Sequence, residues 1–247
     1  MTLASYADQG YGRLRRDDAR RRFAIFPDHD TEDVPMDQQR TALGRIIERR
    51  IIAVLRLDSP ALALQAVDAM AAAGIGVVEV TLTTPGAIEL IRTLAGRSDL
   101  IVGAGTVLEE RQAEEAFAAG ARFFASPIFD HRIVAMAREA SAVAMPGALT
   151  PGEIVAAWRG GADLIKVFPT PPDGAAYLRA LRGPLPQIPL APSGGVSAST
   201  AAAMLDAGAA ALNVGTWLTH EKDGSLGTIE AIGARARDLV EAVRAAA

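Results

Sequence analysis

The stretch VVEVTLTTPGAIELIRTLAGRSDLIVGAG, residues 77–105, holds one full cycle of the pattern that builds this chain. A short apolar run at 77–83 passes through Thr84-Pro85 into an amphipathic run, and a second apolar run follows at 100–107. Threonine before proline suits a helix start: the hydroxyl can accept an orphan backbone N–H, and the missing proline N–H costs nothing there. The stretch therefore reads as strand, helix, strand. The cycle repeats along the chain from Ile51. The expected strands are 51–57, 77–83, 100–107, 123–127, 143–148, 164–169, 189–194 and 211–216. Ser59-Pro60 and Thr150-Pro151 mark further helix starts, Gly74, Gly120, Gly161 and Gly208 mark helix ends, and a last helix is expected over 226–246. Eight βα units favour closure into a parallel (β/α)8 barrel, the TIM fold, over a doubly wound open sheet. In such a barrel the reactive side chains belong at the C-terminal ends of the strands and in the loops that follow.

The 247 residues suit one such barrel, expected over 41–247. Residues 1–40 differ. The mixed-charge clusters Asp17-Asp18-Ala19-Arg20-Arg21-Arg22 and Asp28-His29-Asp30-Thr31-Glu32-Asp33 lack periodicity and read as a flexible or loosely packed extension. The net charge of −4 carries no nucleic-acid signal. Cysteine is absent, which removes disulfides, thiolate nucleophiles and thiolate metal sites. No apolar run approaches a membrane span and no secretory signal is legible, so no membrane partner and a cytoplasmic location are expected.

Of 25 basic residues only two are lysines. Lys222 lies in a polar run; Lys166 lies inside Leu164-Ile165-Lys166-Val167-Phe168-Pro169, which reads as a buried strand. Burial disfavours a charged amine, and a neutral amine can form an imine with a carbonyl compound, which arginine cannot. The plain alternative is a lysine that snorkels from a strand end. Glu79, between valines on the second strand, is costly unless paired or functional. Period-two alternation puts it on one face with Thr81 and Thr83, opposite Val78 and Val80. Arg56 lies near the end of the first strand. These three charges form either a structural network or an active site, and an amine, a carboxylate and a guanidinium together favour the second.

Ser193-Gly194-Gly195 and Val214-Gly215-Thr216 end the seventh and eighth strands, where barrels of this kind commonly hold phosphate through backbone N–H groups. Tight turns also use glycine. Gly103-Ala104-Gly105-Thr106 on the third strand either lets a substrate approach the backbone or makes a tight turn. His29, His131 and His220 lie in separate segments without metal-ligand spacing, so no metal site is expected.

The motifs VVEVTLTTP, IVGAGTVL, FFASP, AMPGALTPGE, LIKVFP, APSGGVS and NVGTWL, in this order, resemble the 2-keto-3-deoxy-6-phosphogluconate/4-hydroxy-2-oxoglutarate aldolase family over residues 45–245. The resemblance implies a class I aldolase on a TIM barrel, a homotrimer that handles a 2-keto acid and pyruvate without metal or organic cofactor. It implies Lys166 as the Schiff-base lysine and Glu79 as the general acid/base. Thr106 and Pro127, with Thr81 on the same strand face as Glu79, would hold the pyruvyl end. Ser193, Gly194, Gly195, Gly215 and Thr216 would hold the phosphate. Many members carry an arginine on the second strand where this chain has Thr83; others carry it on the first, as Arg56 does here, which makes Arg56 the candidate carboxylate clamp. The phosphate loop reads Pro-Ser-Gly-Gly where Pro-Thr-Gly-Gly is common, and serine keeps the hydroxyl. A sugar-phosphate isomerase or epimerase, or a non-catalytic binding protein, are the competing readings; neither needs a lysine buried in a strand.

Overall fold

The computed structural model describes residues 36–246. The extension expected at 1–40 falls outside the described residues up to position 35, as does His29. Among the described residues nine strands run in parallel: β1 (Ile51–Leu55), β2 (Val77–Thr81), β3 (Ile101–Gly105), β4 (Phe123–Ala125), β5 (Val143–Met145), β6 (Gly147–Ala148), β7 (Ile165–Val167), β8 (Leu190–Pro192) and β9 (Leu212–Val214). The helices are α1 (Met36–Arg49), α2 (Pro60–Ala72), α3 (Ala87–Ala95), α4 (Glu110–Ala118), α5 (His131–Glu139), α6 (Pro151–Arg159), α7 (Gly174–Arg182), α8 (Ala198–Asp206), α9 (Thr216–Thr219) and α10 (Ile229–Ala245).

Two sheets, β5-β4-β3-β2-β1-β9 and β6-β7-β8, meet at two seams. At one, β8 reaches β9 through the parallel bridge Ser193↔Asn213 and the Ala210 N–H bond to the Leu190 carbonyl at 2.8 Å. At the other, Pro146 links β5 to β6, and its carbonyl accepts from Lys166 N–H at 2.9 Å. The single strand expected at 143–148 is thus one strand broken at its proline. Proline has no N–H to give to a ladder. The residues before it pair with β4 and those after it with β7. Counted this way, eight strands close the barrel.

Alternation divides the core. Val78 and Val80 join the layer packed on the helices with Leu90, Ile91 and Leu94 of α3. Ile52, Val77, Phe123 and Leu164, all buried, have the parity that fills the barrel interior. Glu79 shares parity with Val77, and Lys166 with Leu164, so both charges point inward.

The helix punctuation follows the sequence in most places. Gly74, Gly120, Gly161 and Gly208 have φ of 102°, 100°, 98° and 96°, a left-handed backbone that favours glycine at a helix C-terminus. Ser59 Oγ accepts from Leu62 N–H at 3.4 Å, and Thr150 and Glu153 form a reciprocal capping box. Thr84-Pro85 is the exception. The helix starts later, at Ala87 after Gly86, and Thr84 is buried with its hydroxyl 3.3 Å from that of Thr81. The last helix begins at Ile229, three residues later than expected at 226, behind the cap Thr228.

Candidate active site

Lys166 is the middle residue of the three-residue strand β7. Its neighbours Ile165 and Val167 pack toward the helices, which turns the amine into the barrel. Lys166 Nζ lies 2.8 Å from Glu79 Oε1 and 3.1 Å from Oε2. Glu79 is fully buried and Lys166 is 7 % exposed. Such a pair persists because each charge answers the other; removing one partner leaves an uncompensated buried charge.

Glycine makes the room for it. A Cβ on Gly105 would stand 2.2 Å from Glu79 Oε1, and one on Gly103 would stand 2.4 Å from the ring of Phe123. The Gly-Ala-Gly of β3 therefore accommodates a carboxylate and an aromatic ring of the protein. At these two positions the protein's own side chains fill the space that a Cβ would take.

A cleft of about 750 Å³ opens over the C-terminal ends of the strands, with Lys166 on its wall. Arg56, Thr106 and Pro127 border it. The Arg56 side chain is exposed and makes no ion pair or hydrogen bond among the described residues, which leaves its guanidinium open to an incoming carboxylate. Thr106 has φ of 59°, uncommon for a β-branched residue, where β3 turns out over the cleft. Thr81 is not at the cleft. It is buried, and its hydroxyl donates to the Leu55 carbonyl at 2.9 Å, tying β2 to β1.

Ser193, Gly194, Gly195, Gly215 and Thr216 border the other end of the same cleft. Gly194 and Gly195 have φ of 110° and 66°, and consecutive left-handed residues present successive N–H groups to an anion. The turn is braced from β7: Thr170 Oγ1 accepts from Ser193 N–H at 2.8 Å, and Thr170 N–H donates to the Ser193 carbonyl at 3.0 Å. Helix α8 starts three residues later, with its cap Ser197 also at the cleft. Arg56 and Lys166 are the only Lys or Arg side chains on the cleft wall among the described residues, so this end offers an anion backbone N–H groups and hydroxyls.

Several wall residues went unassigned in the sequence. His220, which has no metal-ligand spacing in the sequence, borders the cleft, with Nδ1 2.8 Å from Thr219 Oγ1. His131 is solvent-exposed at the start of α5. Asn213 stands inside β9 and faces the cleft. Its signal was the one that exposed Glu79: a polar side chain in an apolar strand.

A closed parallel barrel with a buried amine–carboxylate pair under a cleft that ends in a glycine turn has the architecture of a Schiff-base enzyme. The family model described as KDPG and KHG aldolase matches residues 44–233, and the chain belongs to that family. It is 36 % identical over 173 residues to the 2-dehydro-3-deoxy-phosphogluconate aldolase of Pseudomonas aeruginosa, covering 69 % of this chain and 79 % of that one. It is 32 % identical over 196 residues to the KHG/KDPG aldolase of Escherichia coli, covering 78 % and 91 %. The crystal structure of the KDPG aldolase of Legionella pneumophila, with pyruvate captured as a covalent carbinolamine, superposes with a TM-score of 0.65 at 28 % identity, covering 83 % of this chain and 98 % of that one.

Proposed function

We propose that this chain is a class I aldolase that cleaves 2-keto-3-deoxy-6-phosphogluconate to pyruvate and glyceraldehyde 3-phosphate through an imine on Lys166. The observation that carries this reading is the contact of Lys166 Nζ with both oxygens of Glu79, at 2.8 and 3.1 Å, beside the cleft. Glu79 takes a proton from the ammonium, and the freed lone pair adds to the C2 ketone. Glu79 returns a proton as the carbinol hydroxyl leaves as water, which gives the protonated imine. Glu79, directly or through one water, then removes the C4 hydroxyl proton. The C3–C4 electron pair moves into the imine, and C4 departs as the aldehyde. The enamine takes a proton at C3, and water hydrolyses the imine to pyruvate and free amine. The imine is the electron sink, so the sequence of steps requires neither metal nor organic cofactor. A pyruvate carbinolamine, the adduct captured in the Legionella enzyme, is the species through which the last of these steps, hydrolysis of the pyruvyl imine, passes.

Arg56 and Thr106 orient the keto-acid carboxylate in this reading, with Pro127 against the pyruvyl carbons, so that addition occurs in one geometry. Gly194, Gly195 and the hydroxyls of Ser193 and Thr216 receive the phosphate. The open guanidinium of Arg56 and the left-handed glycine pair support those two assignments. Thr81 acts by holding β2 in register through Leu55.

Borohydride reduction with pyruvate, followed by peptide mass mapping, tests the proposal. A reduced pyruvyl adduct on Lys166 is expected; a folded protein without that adduct overturns the reading. Relative turnover of phosphogluconate-derived, phosphogalactonate-derived and 4-hydroxy-2-oxoglutarate substrates then ranks the alternative substrates of this reading. A homotrimer in the cytoplasm belongs to the same reading. Exposed Leu108, Phe117 and Ile128 provide apolar surface for an interface, and light scattering should return three times the chain mass.

A further inference from the structure

The chain contains a single asparagine, Asn213. It sits in β9, opposite Ile52 of β1 and bridged to Ser193 at the start of the glycine turn. It is 1 % exposed. Its Nδ2 lies 3.2 Å from the Ala191 carbonyl and 3.5 Å from the Pro192 carbonyl. Carbonyl oxygens only accept, so the amide nitrogen must face β8, and that fixes the opposite side of the amide as Oδ1. Oδ1 has no hydrogen-bond partner among the described residues. A buried acceptor without a donor is costly, and native structures keep few of them. Asn213 borders the cleft between two described ends: Ala191, which it holds, is the register partner of Lys166, and Ser193, to which it is bridged, opens the anion turn.

We propose that Asn213 determines which aldehyde the enzyme accepts, its Oδ1 accepting a hydrogen bond from a hydroxyl carried on the carbon between the reacting carbonyl and the phosphate. This deepens the aldolase reading and rests on it. In a six-carbon 2-keto-3-deoxy acid whose C2 is bound at Lys166 and whose phosphate lies at the glycine turn, that carbon is C5. The C4 hydroxyl is engaged with the proton transfers of Glu79, so the C5 hydroxyl is the donor left for Oδ1. A substrate that ends in a carboxylate at C5, such as 4-hydroxy-2-oxoglutarate, offers no donor there. Asn213 thereby favours polyhydroxylated phosphorylated aldehydes over glyoxylate.

The test compares wild type and Asn213→Ala in the condensation direction, with pyruvate and three aldehydes: glyceraldehyde 3-phosphate, 3-phosphopropanal, which lacks the hydroxyl, and glyoxylate. The variant is expected to lose about tenfold in kcat/KM with glyceraldehyde 3-phosphate, the scale of one hydrogen bond. It should change less than about twofold with the other two, and pyruvate trapping on Lys166 should persist. An equal loss with all three, or no loss with the hydroxylated aldehyde, overturns the proposal. A second measurement needs no variant. In wild type labelled with ¹⁵N-asparagine, one side-chain amide pair reports Asn213. It should shift with glycerol 3-phosphate and stay in place with saturating 3-hydroxypropyl phosphate; the same response to both overturns the assignment. Wild type that neither traps pyruvate nor condenses any aldehyde would instead overturn the aldolase reading.

Discussion

The two ends of the cleft are built by opposite means. At the Lys166 end, chemistry resides in side chains: an amine and a carboxylate, buried and held within 2.8 Å. At the Gly194–Gly195 end the proposed phosphate site rests largely on the backbone, on two residues with φ of 110° and 66°. The first end therefore depends on residue identity throughout, whereas the second depends on backbone conformation at its glycine pair and on identity only at the flanking hydroxyls of Ser193 and Thr216. Glycine serves both ends for different reasons. Gly105 has no side chain because Glu79 occupies the space; Gly195 would meet nothing within 4 Å and needs only its positive φ.

The sharpest way to break this contrast is at the side-chain end. Lys166→Ala is expected to abolish borohydride trapping of pyruvate and all measurable turnover. It should also lower stability by about 3–5 kcal/mol in urea titration, because Glu79 is left buried without its partner. Unchanged trapping would remove Lys166 as the nucleophile. Glu79→Gln retains a hydrogen-bonding shape but cannot shuttle protons; turnover should fall by about a hundred- to ten-thousand-fold in steady-state assays, while substrate still binds. Near-normal turnover would make Glu79 structural. Gly105→Ala places a methyl group against that carboxylate, and a fall in both melting temperature and kcat is expected, with a crystal structure showing Glu79 displaced. Arg56→Ala should raise KM for the keto acid by about tenfold or more with a smaller change in kcat, and Arg56→Lys should recover only part of it. The mildest change is Gly195→Ala. It should cost about 1 kcal/mol of backbone strain and raise KM several-fold for phosphorylated aldehydes alone. An effect of equal size with glyoxylate would mean that the turn does not read phosphate.

The same division explains what could be read before folding. Gly74, Gly120, Gly161 and Gly208 announced four helix ends, because a left-handed cap is a local demand that one residue type meets. Lys166 and Glu79 were legible because a charge in an apolar strand is conspicuous, and Asn213 offered the same signal without being assigned a role. Thr81, by contrast, shares a strand face with Glu79 but spends its hydroxyl on Leu55, a residue 26 positions away. Thr84 carried a good cap signal and was drawn into the Thr81 hydroxyl cluster, so the helix started later. The break at Pro146 was visible as a residue, but not as a change of partner strand.

Period, punctuation and residue chemistry lie within a few positions of one another, and they were enough to specify eight βα units, the direction of the reactive side chains and the kinds of group at each end of the cleft. Distances across the barrel arise otherwise. Glu79 and Lys166 are 87 residues apart in the chain, and their contact exists because closure brings β2 and β7 across a shared interior. The space left by Gly105, the bond that diverts Thr81 and the buried, unpartnered acceptor of Asn213 follow from that same closure. Each depends on which atoms of distant strands compete for one small volume, and no stretch of the chain records the result of that competition.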